Sequence, residues 1–200
     1  MGLSTVWPGY ERYGINMKTL NKIAKAASKT LEILHWLGIV FVVLLLVCSL
    51  AAREWLASVL SVGLHQMGTT LTTYGFEMTG VKLDGSIDFT SITLFLIGAV
   101  LIFTMMAMVF RNIYLIFKLA EKNSPFQKDI TRMIREIGIF YIAVPVIGLT
   151  MSSIARLFLG AEAAEISVNV EGFVTGILLL CLSQYFAYGT QLQNDVDGLL

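Results

Sequence analysis

Four long apolar runs, at about residues 33–52, 92–117, 137–157 and 173–188, constrain this chain more than anything else in it. Each is about as long as the ~20 residues that cross ~30 Å of hydrocarbon as a helix. The chain therefore reads as an integral membrane protein of four spans. Composition agrees. Apolar residues make up 56% and charged residues 14%, where a soluble domain carries ~25% charge. Mean hydropathy is +0.75. Two hundred residues suit a single domain.

The charges are balanced in number and segregated in place. Arg12, Lys18, Lys22, Lys25 and Lys29 precede the first run, and Arg111, Lys118, Lys122, Lys128, Arg132 and Arg135 surround the second connection. The first and third connections hold only Arg53, Lys82 and Arg156 among the bases, with Glu54, Glu77, Asp84, Asp88, Glu162, Glu165 and Glu171 among the acids. Positive residues stay cytoplasmic, so both termini are expected inside. An even number of spans requires the same. Zero net charge gives no sign of direct nucleic-acid binding. The N-terminus does not read as a cleaved signal peptide: about thirty polar and amphipathic residues come first, and the first run exceeds the ~7–15 apolar residues of a signal core. Cys48 and Cys181 fall in different spans and suggest no disulfide.

Residues 1–32 are expected as a cytoplasmic N-terminal segment. Within it Lys18, Lys22, Lys25 and Lys29 share one helix face, and Leu20, Ile23, Ala24, Ala27 and Leu31 form another. A basic amphipathic helix beside a span suits the anionic inner leaflet. Residues 33–190 then form the membrane domain, and residues 191–200 a cytoplasmic tail. Trp55–Leu64 either extends the first helix or lies at the interface. Residues 70–78 and 81–89 look extended, with turn chemistry at Gly80 and Asp84-Gly85. Residues 166–170 alternate apolar and polar as a half-buried strand does. A small extracytoplasmic β-cap joining the first and third connections is the expectation. Ser124 and Pro125 suit the start of helix three. Pro145 interrupts its backbone donors, and Gly138 and Gly148 permit close helix approach. Gly172 and Gly176 form a GxxxG near the outer end of the fourth span, a weak dimer signal.

The spans are chemically bare. Ionisable residues inside a membrane usually mark a transport path, and here Arg111 and Arg156 fall near span ends, where their heads can snorkel. Gln184 and Ser183 are the most interior polar pair, and an interhelical hydrogen bond is the favoured reading over a permeation site. His35 is expected near the inner face and His65 outside, so the two do not share a haem, and no His/Cys cluster suits zinc. Met105, Met106 and Met108 read as adaptable packing. No GxSxG, P-loop, HExxH or GxGxxG occurs. No enzyme activity and no cofactor is expected.

Two segments resemble a known family. One is Asn123-Ser124-Pro125-Phe126-Gln127-Lys128-Asp129-Ile130, followed by Met133-Ile134-Arg135-Glu136-Ile137-Gly138. The other is the tail from Phe186 through Tyr188-Gly189 to Leu200. Both resemble the bacterial four-span membrane proteins grouped as domain of unknown function 2975. The resemblance implies a four-helix bundle in a bacterial plasma membrane and, because members are often encoded beside a small helix-turn-helix regulator, a signalling role. It carries over no catalytic residues.

The leading expectation is a non-enzymatic membrane protein that couples membrane state or an external ligand to a cytoplasmic partner, such as that kind of regulator. Candidate partner-binding residues are Ser124, Phe126, Lys128, Arg132 and Arg135 in the loop and Gln191, Asp195 and Asp197 in the tail. The tail acids are also candidates to pair with the loop bases. The alternative is a small oligomeric transporter, channel or immunity-type exporter, with Gln184 and Arg111 as its intramembrane polar residues.

Overall fold

The computed structural model describes residues 17–67, 69–82, 84–120, 128–166 and 169–197, leaving out the side chains of 17–18, 61–67, 194 and 196–197. The chain order is α1 (Met17–Ala51), α2 (Arg53–Met67), β1 (Thr70–Thr73), β2 (Phe76–Thr79), α3 (Phe89–Ala120), α4 (Lys128–Leu159) and α5 (Val170–Asp197). Four helices, α1, α3, α4 and α5, are long and apolar enough to cross a membrane. The protein is a multi-pass, mostly helical membrane protein.

α3 is the centre of the bundle. Half of its most apolar window is buried, against 17% for α1 and 11% for α5. α1 and α4 pack on α3, and α5 packs on α4. The outer faces carry large exposed apolar side chains, among them Phe41, Leu44 and Leu50 on α1 and Leu178 and Leu182 on α5. In water such surfaces would drive association, whereas in lipid they are already solvated.

Local chemistry sets the helix ends. Asp88 caps α3, its Oδ1 accepting the amides of Thr90 at 3.0 Å and Ser91 at 3.3 Å. Gly160 closes α4 with φ +103 and donates its amide to Arg156 O at 3.1 Å. Asn169 caps α5, accepting the Gly172 amide at 3.0 Å. α1 runs unbroken through residue 32, so the basic stripe and the first span are one rigid rod. α2 is a separate helix that buries Leu56. Helix three is described from Lys128, and its expected cap Ser124 lies outside the described residues.

The connections do join. Thr79 N donates to Ala163 O at 2.9 Å and Met78 bridges Ala164, tying the first connection to the third. The hairpin itself descends between the helices. Phe76 stacks on Phe95 of α3 at 5.3 Å. It sits against two glycines: a Cβ at Gly98 would lie 2.6 Å from its ring, and one at Gly148 would lie 3.4 Å from its Cβ. Gly148 thus admits the hairpin rather than a neighbouring helix. Phe76 and Met78 are 1% and 0% exposed there.

Two further expectations change. The hairpin turns at Tyr74-Gly75 within residues 70–79, and the second extended stretch contributes only the Val81–Ile87 bridge around Gly85. Residues 166–170 are not a strand across their length. Ile166 is exposed coil and Val170 already belongs to α5, while 167 and 168 lie outside the described residues. The Asn169 cap overrides the local alternation.

α5 also begins deep. Gly172 packs against Pro145 and the Tyr141 carbonyl, and Tyr141 lies about 27 Å of helix from Leu159.

Candidate functional site

The hairpin tip meets α1 at a half-buried polar junction, where His35 is buried and Tyr74 is 40% exposed. Tyr74 is the one non-glycine with positive φ among the described residues, at 48°, and Gly75 follows at 79°. Positive φ at both central positions is the two-residue turn that matches strand twist. A tyrosine there costs roughly 1–2 kcal/mol, so its place must be over-determined by contacts. Two fix it. Tyr74 Oη lies 2.6 Å from His35 Nε2, and Asn169 Nδ2 donates to Tyr74 O at 3.1 Å.

The hydrogen-bond geometry assigns the imidazole. His35 Nδ1 lies 2.8 Å from Leu31 O. A carbonyl only accepts, so Nδ1 carries the proton. In the neutral ring Nε2 then accepts from the Tyr74 hydroxyl, and in the cationic ring it donates to that oxygen instead. His35 is 8% exposed and is flanked by Phe110 at 4.9 Å and Phe103 at 5.5 Å. On the other side of Tyr74 lies a recess of about 240 Å³ lined by Tyr141, Asn169, Glu171 and Thr175 among others.

Asn169 serves two elements at once, as cap of α5 and as ligand of the hairpin tip. Asn169→Ala is expected to lose about 1 kcal/mol from the cap alone and to free the tip. Hydrogen exchange checks this: protection should fall at the Gly172 amide and across the β1–β2 ladder together, and a change at only one of them would dissociate the two roles.

A second polar layer lies below His35, where α1 and α4 begin and α3 ends. Lys29 pairs with Glu32 at 3.0 Å and sits over the Tyr114 ring at 5.3 Å. Asn112 Nδ2 donates to Glu136 Oε2 at 3.1 Å, and Arg132 Nε is 3.6 Å from Glu136 Oε1. Arg111, Asn112, Arg132 and Glu136 line a cavity of about 370 Å³.

The structure therefore brings Arg111 and Arg132 together and leaves the other expected residues dispersed. Lys128 and Arg135 are exposed on α4, and Gln191 and Asp195 on α5. Ser124 and Phe126 lie outside the described residues, as does the side chain of Asp197. Arg132 pairs with Glu136 one turn along its own helix, and among the described ion pairs none joins the tail to α4. Ser183 is buried but donates to Leu180 O of its own helix at 2.7 Å, while Gln184 is exposed, so this pair makes no described interhelical bond. An intrahelical carbonyl is always within reach of a helical serine, which removes the need for a partner. Sequence reading missed Tyr74 and Asn169 altogether. The signal for Tyr74 was its place before glycine, between a threonine-rich stretch and Phe76, and Asn169 stood directly before an acidic first turn. The His65 side chain lies outside the described residues.

Compared with known proteins, the chain matches no family model, no curated protein and no solved structure.

Proposed function

We propose that the protein is a non-enzymatic signalling component of a bacterial plasma membrane, with both termini cytoplasmic, that passes the state of its inserted hairpin to a cytoplasmic partner. One observation carries this reading. α1 is a single helix from the lysine-bearing stripe at residues 18–29 to His35, and His35 holds the hairpin tip. A change in the first connection that moves Tyr74 acts on a rod whose other end is a basic surface. The cytoplasmic ends of α3 and α4 add Arg111, Arg132 and Arg135 to that surface. The resemblance to four-span proteins encoded beside helix-turn-helix regulators supports a regulator as the partner.

The test is gentle solubilisation of tagged protein from its native membrane, with co-purifying proteins identified by mass spectrometry. A stoichiometric cytoplasmic partner is expected, lost on reversing the charges of Arg132 and Arg135 and altered by Tyr74→Phe. A clean homo-oligomer with no partner, together with solute flux in proteoliposomes, would overturn the reading in favour of a transporter or channel.

A further inference from the structure

A cavity of about 240 Å³ lies between α1, α2, β1 and the start of α3. Its walls are almost wholly hydrocarbon. α1 supplies Val42 and Leu45, α2 supplies Leu56 and Leu60, and Leu71, Ala99 and Phe103 close it from the hairpin and α3. Among the described side chains, Thr72 and Thr73 are the only polar ones at its edge. The space is a half-open recess, with Leu56 and Ala99 at its floor 1% and 2% exposed and Thr72 at its mouth exposed.

Close-packed side chains normally leave less space than this. Here the walls are pinned by contacts that do not depend on what fills it. Phe95 is held by its stack on Phe76. β1 is held by its pairing with β2, whose Phe76 is seated between Gly98 and Gly148. α2 is held at its start by backbone continuity with α1, where Leu56 N donates to Ala52 O at 3.0 Å. The seating of the hairpin therefore opposes collapse of this space.

Its chemistry selects the occupant. A buried water makes about three hydrogen bonds, more than the two threonine hydroxyls at one edge offer, and that of Thr72 already donates to Glu77 at 3.4 Å. An apolar cavity of about 150 Å³ stays dry and takes benzene. The larger space here matches a benzene ring with a short alkyl arm. The other side of the α1 wall is lipid-facing, with Val43, Leu44 and Val47 exposed.

We propose that this cavity is a binding site for a small, uncharged apolar molecule of alkylbenzene size, delivered through the bilayer. Phe103 is its shared wall with the polar junction: it lines the cavity and lies 5.5 Å from His35 and 6.1 Å from Tyr74. Thr73, at the cavity edge, is bonded directly to Tyr74. A ligand here touches both the ring that packs on the junction and the strand that delivers the tyrosine. Binding stands on the cavity alone, and only its role as the signal rests on the regulatory reading above.

The test uses the full chain in lipid nanodiscs and the photoreactive probe 3-trifluoromethyl-3-phenyldiazirine, with adducts mapped by peptide mass spectrometry. Saturable labelling is expected on the Leu71–Thr73 and Ala99–Phe103 peptides, competed by propylbenzene. Ala99→Phe fills the space and is expected to weaken it by about tenfold or more. Leu60→Phe fills the same space from α2 if the first variant does not insert. Labelling of Val43 to Val47 is the internal reference, since lipid-phase probe reaches it without saturating. Two results overturn the proposal: cavity peptides that label without saturation, as the reference does, or a tightly retained lipid whose acyl chain cross-links to those peptides and resists displacement. Saturable binding with unchanged partner capture supports the site and removes its signalling role. Partner capture that responds to Tyr74→Phe without saturable labelling removes the site and leaves the signalling reading intact.

Discussion

Replacing Gly176 with alanine is expected to destabilise the α4–α5 half of the bundle by about 1–3 kcal/mol, read as a lower unfolding midpoint in mixed detergent micelles. A Cβ at Gly176 would lie 2.5 Å from Ile142 Cγ1 and 2.8 Å from Gly138 O. The isoleucine can change rotamer, but a backbone carbonyl moves only with its helix. The clash is reciprocal, because a Cβ at Gly138 would lie 3.0 Å from Gly176 O. Helices in lipid gain little from hiding apolar surface from one another, so they associate through close packing. α5, with little of its surface buried, depends on this seam. Gly172→Ala is the control. Its nearest atoms are Pro145 Cδ and Cγ at 3.4 Å, ordinary contact, and its cost should be small. Equal midpoints for wild type and Gly176→Ala would show that this approach does not hold the helices together.

Breaking the His35–Tyr74 hydrogen bond is the second large effect expected. Tyr74→Phe leaves Nε2 of the buried His35 without its partner, at a cost of about 1–3 kcal/mol, whereas His35→Ala orphans the hydroxyl of the 40% exposed Tyr74. His35→Ala costs more, since it also empties space beside Phe103 and Phe110. The double variant should lose less than the sum, because the second change removes a group already orphaned. A coupling of about 0.5–3 kcal/mol from the double-mutant cycle is the expected value, and additivity within error would mean the 2.6 Å contact contributes nothing. Tyr74→Asn separates bond from backbone strain. Asparagine tolerates positive φ but does not reach His35, so it should recover part of the stability that Tyr74→Phe loses. The hairpin tip should show the same order in amide exchange: fastest in His35→Ala, intermediate in Tyr74→Phe and slowest in wild type.

How much of this was legible before folding depends on the range of the interaction. The four spans were legible because hydrocarbon partitioning sums over neighbouring residues, and a run such as 92–117 reports it directly. The lysine stripe at 18–29 was legible for the same reason, as a periodicity within one helix. Gly172 and Gly176 were legible as a close contact but not as to partner: Gly172 meets Pro145 and Tyr141, and Gly176 meets Gly138 and Ile142, all of the same chain, where the local motif suggests a dimer. The strand at 166–170 failed because alternation over five residues is weaker than one asparagine satisfying a helix terminus. The Ser183–Gln184 pair failed because a helical serine finds a carbonyl on its own turn.

The junction was illegible for a different reason. His35 and Tyr74 are 39 residues apart, and Tyr74 and Asn169 are 95 apart. Nothing near either residue announces the other. Phe76 reads as an ordinary strand aromatic until Gly98 and Gly148 are seen to leave room for it. The sequence by itself determined that this chain spans a membrane four times and that its bases gather at one end of those spans, because both are sums over local residues. Only the tertiary structure decided that a hairpin enters the bundle, that a strained tyrosine closes on a histidine, and that an apolar cavity lies beside them. Those depend on the fit of surfaces that the chain brings together from far apart.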